Sequence, residues 1–198
     1  MARKRSPDFA KRRDRIVANA AHLFAQRGFM GTSIADLTSA GKISKALFYH
    51  YFASKEDVLY AAMSTHVDAL EAAAQDVRQG GQSDPEVMLR DLTSRFMQIY
   101  IGATDLQKVL LNEVENLPPA MAEAVTAKQK AIVHTVEGIM ARITGQEDHA
   151  LNTVHTMLYF GMMNWLHTWY DGSKAVSPEA LVDEIVRFVM QGAPARES

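Results

Sequence analysis

The sequence predicts an all-α protein of about nine helices, with a short three-helix unit at the N-terminus and a larger helical body after it. Three observations carry that prediction. Apolar residues recur at helical spacing along most of the chain, and no stretch alternates as a half-buried strand would. Helix starts and stops are marked by Ser, Asp, Pro and Gly at the positions each favours. Two short helical segments are separated by a glycine-containing turn of three residues, with another helix before them, as in a helix-turn-helix.

Taken in order, Ser6-Pro7 suits an N-cap with proline at the first helical position. Ile16, Ala20 and Phe24 then mark one face, flanked by Val17, Ala21 and Leu23, and Gly28 ends the helix. Thr32 or Ser33 can cap the second helix, Ser33 to Ala40, and Asp36 three residues after Ser33 resembles a capping box with a short acid. Gly41-Lys42-Ile43 is the break, and Ser44 caps a third helix to about Phe52. Ile43 and Phe48 fall where a hydrophobic staple would fix the angle of that helix. Ser54 and Asp57 open a long fourth helix, with Leu59, Ala62, Met63, Val67, Leu70, Ala74 and Val77 along it, stopping near Gly80-Gly81. Further helices are expected at about 84–102, 105–116, 118–144, 148–170 and 178–191, punctuated by Pro118-Pro119, Gly145 and Asp171-Gly172.

Charge is unevenly distributed. The net charge is −2, yet residues 1–52 hold ten Lys/Arg against three Asp/Glu, and the remaining 146 residues are correspondingly acidic. A basic first quarter on an acidic body points to a polyanion at one end, nucleic acid first and an anionic membrane surface second. The absence of cysteine excludes disulfides, thiolate metal sites and cysteine redox sensing. Basic MARKRSPDF has no apolar run behind it, so it does not read as a signal peptide. The apolar stretch 157–170 is too short to span a bilayer and contains Asn164 and His167. These features lead us to expect a cytoplasmic protein.

Helix three, in SKALFYHYF, sorts its residues by side. At 100° per residue, Phe48, Tyr51 and Phe52 share one side and Lys45, Ala46, Tyr49 and His50 the other. The first side can enter a core. The second carries what a DNA backbone and groove require: Lys45 for phosphate or guanine, Tyr49 and His50 for directed hydrogen bonds, and a small Ala46 for close approach to base edges. Ser44 at the helix start, Thr32 and Ser33 at the start of helix two, and Lys55 in the first turn of helix four offer further anion contacts. Arg3-Lys4-Arg5 would form an arm along the backbone or minor groove.

Through RIVANAAHLFAQRGFMGTSIADLTSAGKISKALFYHYFASKEDVL, the chain resembles the TetR family of transcriptional regulators over about residues 11–70, with LF, RGF, TSI-D, SK, YHYF and SKE all at matching spacing. The resemblance implies a basic arm (1–10), a helix-turn-helix DNA-binding domain (11–71) and a ligand-binding and dimerisation domain (72–198). It also implies a homodimeric regulator that binds a near-palindromic operator and is released by a small-molecule inducer. By position, Ser44, Lys45, Ala46, Leu47, Tyr49 and His50 would meet DNA, with Thr32, Ser33 and Lys55 on phosphates and Phe48 and Phe52 in the core. Two departures stand out. The family commonly reads Ala-Gly-Val-Ser at the turn; here the glycine comes one place early and Lys42 takes its position. Alanine also stands at position 46, where the family often has glycine.

The segment FGMMNWLHTWYDGSKAVSPEALVDEIVRFVMQG resembles the last two helices of the same family, which usually pair with their copies. Leu181, Ile185, Phe188 and Val189 form an apolar stripe on the last helix, and Met162, Trp165 and Trp169 lie at related spacing on the one before; these are the expected dimer contacts. Met88, Phe96, Met97, Tyr100, Leu110, Leu111, Met121, Met140, Tyr159 and Phe160 can line an adaptable apolar cavity, and Asn112, Glu113, His134 and His155 can orient a ligand there. Core packing accounts for most of the apolar set equally well. Family resemblance suggests a hydrophobic acid or acyl-CoA inducer, with a multidrug-type efflux repressor as the alternative. A dimeric helical binding protein without specific DNA recognition is the competing class. Seven histidines occur without HExxH spacing, and no glycine-rich phosphate loop follows a strand, so neither a metal site nor an enzyme is expected. No cofactor is expected either.

Overall fold

The structure is a computed structural model and describes residues 7–145, 148–171 and 176–192. The basic triplet Arg3-Lys4-Arg5, the Ser6 cap and Gly172 lie outside the described residues. Among the described residues the chain forms nine α-helices and one 3₁₀ turn, without strands. They are α1 (Pro7–Arg27), α2 (Ile34–Gly41), α3 (Lys45–Tyr51), α4 (Lys55–Gln79), α5 (Pro85–Gly102), α6 (Thr104–Asn112), α7 (Pro119–Thr144), α8 (His149–Trp169) and α9 (Pro178–Gly192). The expected arm, 1–10, is thus already helical from Pro7.

The helix expected at 105–116 is interrupted. α6 ends at Asn112 and a separate 3₁₀ turn covers Val114–Asn116. Residues before proline avoid the α conformation, and Leu117, preceding Pro118, is extended, so the chain tightens before that point and α7 restarts with Pro119 in its first position.

Chain packing gives two compact units. One comprises the described residues up to Val67 together with Asp105–Thr126. The other comprises Asp68–Thr104 and the described residues from Ala127 onward. The first unit therefore takes in α6 residues that the sequence boundary at residue 71 leaves out, and α4 and α7 each contribute to both.

In the first unit, Ile16, Ala20 and Phe24 of α1, Leu37 of α2, Phe48 and Phe52, and Val58, Leu59 and Ala62 of α4 are all buried. Gly28 adopts φ +74°, which an L side chain rarely takes, and its N–H donates to the Phe24 carbonyl at 2.9 Å, closing α1. The α6 segment is tied in by polar contacts. His22 Nδ1 of α1 lies 2.9 Å from Asp105 Oδ2, and the buried His66 Nε2 of α4 lies 2.6 Å from Gln107 Oε1.

In the second unit α5 packs against α9 and α8. Leu89, Leu92, Phe96 and Met97 of α5, Val136, Ile139 and Met140 of α7, Tyr159 and Met163 of α8, and Leu181, Val182, Ile185 and Val186 of α9 form its core. Thr93 donates its hydroxyl proton to the Leu89 carbonyl at 2.7 Å, so the buried Tyr159 hydroxyl, 3.0 Å away, donates to Thr93 Oγ1. Burial raises the Tyr159 pKa well above its ordinary value and keeps that phenol protonated.

Candidate functional site

The first unit presents α3 through two caps. Ser33 is the N-cap of α2 and, despite the short acid, forms a complete capping box: its Oγ accepts from Asp36 N–H at 3.2 Å, and Asp36 Oδ2 accepts from Ser33 N–H at 2.8 Å. The Ser33 hydroxyl and amide hold the Asp36 carboxyl below the usual carboxylate range, with Arg27 assisting. At the other end of α2, Lys42 N–H donates to Ser39 O at 3.1 Å and Ile43 N–H to Thr38 O at 3.0 Å, the bonding pattern of a Schellman motif. That motif needs a left-handed residue. Lys42 supplies it at φ 48°, ψ 47°, and is the only non-glycine residue with positive φ among the described residues. Gly41, one place early, remains within the helix.

Ser44 then caps α3, its Oγ accepting from Leu47 N–H at 3.1 Å. The seven-residue helix buries Phe48 completely, while Tyr49 is 52% exposed. Ser44, Lys45, Ala46 and His50 are exposed alongside Tyr49, and Leu47 is half-buried. Tyr51 sits at the margin, where it packs on Phe9 of α1 with ring centroids 4.4 Å apart; Phe9 also meets His50 edge-on at 5.8 Å. Sequence reasoning missed Phe9. Its signal was its place seven residues before Ile16 on the α1 stripe.

Two residues expected on phosphates have internal work. Thr32 is buried: its hydroxyl donates to Gly28 O at 2.9 Å and its amide to Phe29 O at 3.2 Å, so its side chain is not available at the surface. Lys55 Nζ donates to Phe29 O at 2.8 Å and Thr32 O at 2.9 Å, and lies 3.9 Å from the centroid of the Phe29 ring. Lys55 thus fastens the start of α4 to the loop before α2. The surface these elements leave exposed combines an ammonium, a hydroxyl, an imidazole, a phenol and a small residue on α3 and its cap. Such a surface suits phosphates and base edges.

The residues expected around a ligand divide. Met88, Phe96, Met97 and Tyr100 are buried along α5. Met97 and Tyr100 border a cavity of about 90 Å³ with Leu166 and His167, and the Tyr100 hydroxyl donates to Asn164 Oδ1 at 3.1 Å. A larger cleft of about 250 Å³ opens between α7, α8 and α9, lined by Met140, His155, Tyr159, Met162 and Phe188 among others. Phe160 is half-buried beside Tyr159, with ring centroids 5.5 Å apart, and lies outside that lining. Leu111, Asn112 and His134 lie outside the linings of both these cavities. Leu111 and Asn112 are exposed at the end of α6 in the first unit, where Asn112 Nδ2 donates to Lys108 O at 2.8 Å. The His134 side chain is 84% exposed, 3.7 Å from Glu137.

The expected dimer stripe also divides. Leu181 and Ile185 are buried and belong to the face with which α9 packs on α5, because a helix this amphipathic uses its apolar side within its own unit first. Met162 and Val189 are half-buried around the cleft. Trp165, Trp169 and Phe188 remain largely exposed, Trp165 by 65% and Phe188 by 68%. They are joined along α8 by exposed Leu151, Val154 and Leu158, which sequence reasoning missed although they precede Trp165 at helical spacing. An apolar face of this length on a water-facing helix marks an interaction surface. Among the described residues no group of three or more His, Asp or Glu side chains is placed to hold a metal, and no helix is long and apolar enough to cross a membrane.

Residues 16–62 match the family model described as bacterial regulatory proteins, tetR family, and residues 82–193 match that described as tetracyclin repressor-like, C-terminal domain. The chain is similar to a TetR-family transcriptional regulator from Bordetella parapertussis 12822, at 36% identity and TM-score 0.86 over 91% of this chain and 94% of that one. It is also similar to the HTH-type transcriptional activator FasR of Mycolicibacterium smegmatis, 20% identical over 92% of this chain and 83% of the relative. At the level of fold it matches AibR, solved in complex with isovaleryl coenzyme A and operator DNA, with 24% identity, TM-score 0.77, and 89% and 97% of the two chains covered.

Proposed function

The chain belongs to the TetR family, as a DNA-binding transcriptional regulator and not an enzyme, and from that premise we propose a homodimeric repressor that a small molecule releases from a near-palindromic operator. Each α3 enters a major groove, with half-site centres about one helical turn (~34 Å) apart or a multiple of it. Lys45, Tyr49 and His50, with Ser33, Ser44, Ala46 and Leu47 around them, make the DNA contacts, and Lys55 holds the loop that carries Ser33. One observation carries this reading: α3 buries Phe48 fully while leaving Tyr49, Lys45 and His50 in water.

The exposed stripe of Leu151, Val154, Leu158, Trp165 and Trp169, with Phe188, supports pairing of two copies through α8 and α9. Burying it removes several large apolar side chains from water, at roughly 1.5–3 kcal/mol each. It also gives the two reading helices the two-fold relation a palindrome requires. FasR is an activator, so the repressor sign rests on the ligand-release mechanism and is open to test.

An acyl-CoA or hydrophobic acid as inducer has the support of AibR, solved with isovaleryl coenzyme A. The cleft of about 250 Å³ lies below the ~300–1,000 Å³ of sites that enclose drug-sized ligands, so of such a molecule it would take the acyl end and not the coenzyme. Release requires the ligand to favour one of two dimer conformations, typically by ~1–3 kcal/mol. Fluorescence anisotropy with duplex DNA from upstream of the protein's own coding region, against a scrambled duplex at matched salt, tests the DNA reading. Isovaleryl-CoA added to the complex tests release.

A further inference from the structure

We propose that Lys42, the left-handed residue of the turn between α2 and α3, is a phosphate contact whose ammonium grips the DNA backbone beside the groove that α3 enters. The inference deepens the DNA-binding reading and rests on it, adding a contact from outside α3 and its cap.

Lys42 holds a conformation that nothing inside the fold requires of a lysine. At φ 48° and ψ 47° the Cβ of an L residue crowds the following carbonyl oxygen, and glycine avoids that crowding. The Schellman bonds of the turn come from the backbone N–H groups of Lys42 and Ile43, which any residue but proline supplies. The Lys42 side chain is exposed, and among the described residues it makes no hydrogen bond, ion pair or ring contact. A residue held in an unfavourable conformation, with no internal contact of its side chain to offset it, points to a use outside the fold.

Position specifies that use. In a helix-turn-helix the first helix crosses the sugar–phosphate backbone, while the N-terminal residues of the second reach base edges. Lys42 joins the two: it follows Gly41 at the end of α2 and lies two residues before Ser44, the cap of α3. Its Cα is therefore within ~8 Å of that of Ser44. An inserted helix ~10–12 Å across fills a major groove ~12 Å wide, so an ammonium just outside the first turn of that helix meets the phosphate wall and not a base.

Neighbouring cations are already committed. Arg27 lies 3.8 Å from Asp36, and Lys55 donates to the Phe29 and Thr32 carbonyls. Lys42 and Lys45, one on each side of the Ser44 cap, remain exposed and unpaired among the described residues. A duplex with one charge per ~1.7 Å of axis offers phosphates to both. The competing internal role, a cation at the C-terminal end of the α2 dipole, predicts a loss of stability when the charge is removed and no effect on DNA.

The test compares the full-length parent protein with Lys42→Gln, Lys42→Arg and Lys42→Gly by fluorescence anisotropy, on the upstream duplex and a scrambled one over a salt series, with thermal midpoints alongside. Glutamine removes the charge and keeps the backbone cost. Each phosphate contact contributes about 0.9 to the slope of log affinity against log salt, so Lys42→Gln is expected to flatten that slope by about 0.9 per bound α3 and to weaken binding about tenfold near ~0.1 M salt. Phosphates carry no sequence information, so both duplexes should weaken alike. Lys42→Arg should keep the parent slope. Lys42→Gly should flatten it as glutamine does while raising the midpoint, which separates the contact from folding. An unchanged slope in Lys42→Gln overturns the proposal, and so does a loss confined to the upstream duplex, the mark of a base contact. A lower midpoint in Lys42→Gly with the parent slope assigns the side chain to the α2 dipole and overturns it as well. Equal parent affinity for the two duplexes removes the operator but leaves the slope comparison intact. A parent preference for the upstream duplex, with no slope change in Lys42→Gln, removes only this contact. A parent protein that binds neither duplex overturns both.

Discussion

Phe48 and Tyr49 are adjacent in sequence, and their rings meet edge to face at 5.5 Å and 87°, yet Phe48 is fully buried while Tyr49 is 52% exposed. Successive residues on a helix lie about 100° apart, so this seven-residue helix can turn one ring into the core and leave its neighbour in water. Tyr49→Ala should therefore weaken binding to specific duplex with little change in unfolding free energy. Phe48→Ala should cost ~3–5 kcal/mol. Urea titration of both variants checks the assignment, and the reverse ordering contradicts it.

Lys42 holds a left-handed conformation that glycine adopts more readily. Lys42→Gly is expected to stabilise the protein by about 1 kcal/mol, seen as a rise of roughly 2–4 °C in thermal midpoint. Gly41→Ala should not destabilise, because a Cβ there meets Ile43 Cγ1 at an ordinary 3.5 Å and the position is helical. A lower midpoint for Lys42→Gly would show that the lysine side chain contributes more than its backbone costs.

How far the sequence could be read depended on the range of the interaction. Caps at Ser33 and Ser44, the misplaced glycine and the two sides of α3 were legible because each is settled within a turn or two of chain. The roles of Thr32 and Lys55 were not. An exposed-looking Thr and Lys next to a reading helix match a phosphate site by type, and only folding reveals the Gly28, Phe29 and Thr32 carbonyls that take them. The α9 stripe was legible only in part for a related reason: periodicity identifies an apolar side, not which of its residues α5 covers, and Leu181 and Ile185 are buried while Phe188 is exposed. Leu111, Asn112 and His134 were placed around a ligand by residue type alone, and their helices turn them to solvent.

Lys55 provides a further test. Lys55→Met removes two charge-assisted hydrogen bonds and a contact with the Phe29 ring, and is expected to cost about 2–3 kcal/mol while also weakening DNA binding through the loop that carries Ser33. Unfolding curves that match the parent protein would assign Lys55 to DNA alone.

Acid sensitivity should trace to His66. Burial lowers its pKa below the ordinary 6.5, outweighing the opposing hydrogen bond that the ring donates to Gln107 Oε1. The unfolded chain then takes up a proton as pH drops through about 6.5 while the folded one resists, so stability is full above that pH and declines as pH falls toward the lower folded-state pKa. Urea midpoints at about pH 7.5 and 5.5 should fall more in the parent than in His66→Gln. Parallel falls would exclude His66 as the source.

The α8 face can be separated from the α9 core by charge. Trp165→Asp should yield a folded monomer by sedimentation equilibrium, whereas Leu181→Asp should unfold the second unit, since it buries an unpaired carboxylate. A dimer that persists in Trp165→Asp would place the contact elsewhere.

The central claim, that α3 reads DNA sequence, meets its most direct test in one measurement: anisotropy of the parent protein on duplex from upstream of its coding region against a scrambled duplex, across a salt series. The account predicts a preference on the order of 10³ or more that persists at every salt concentration, while both affinities fall as salt rises. Equal affinity for the two duplexes at matched salt would contradict it.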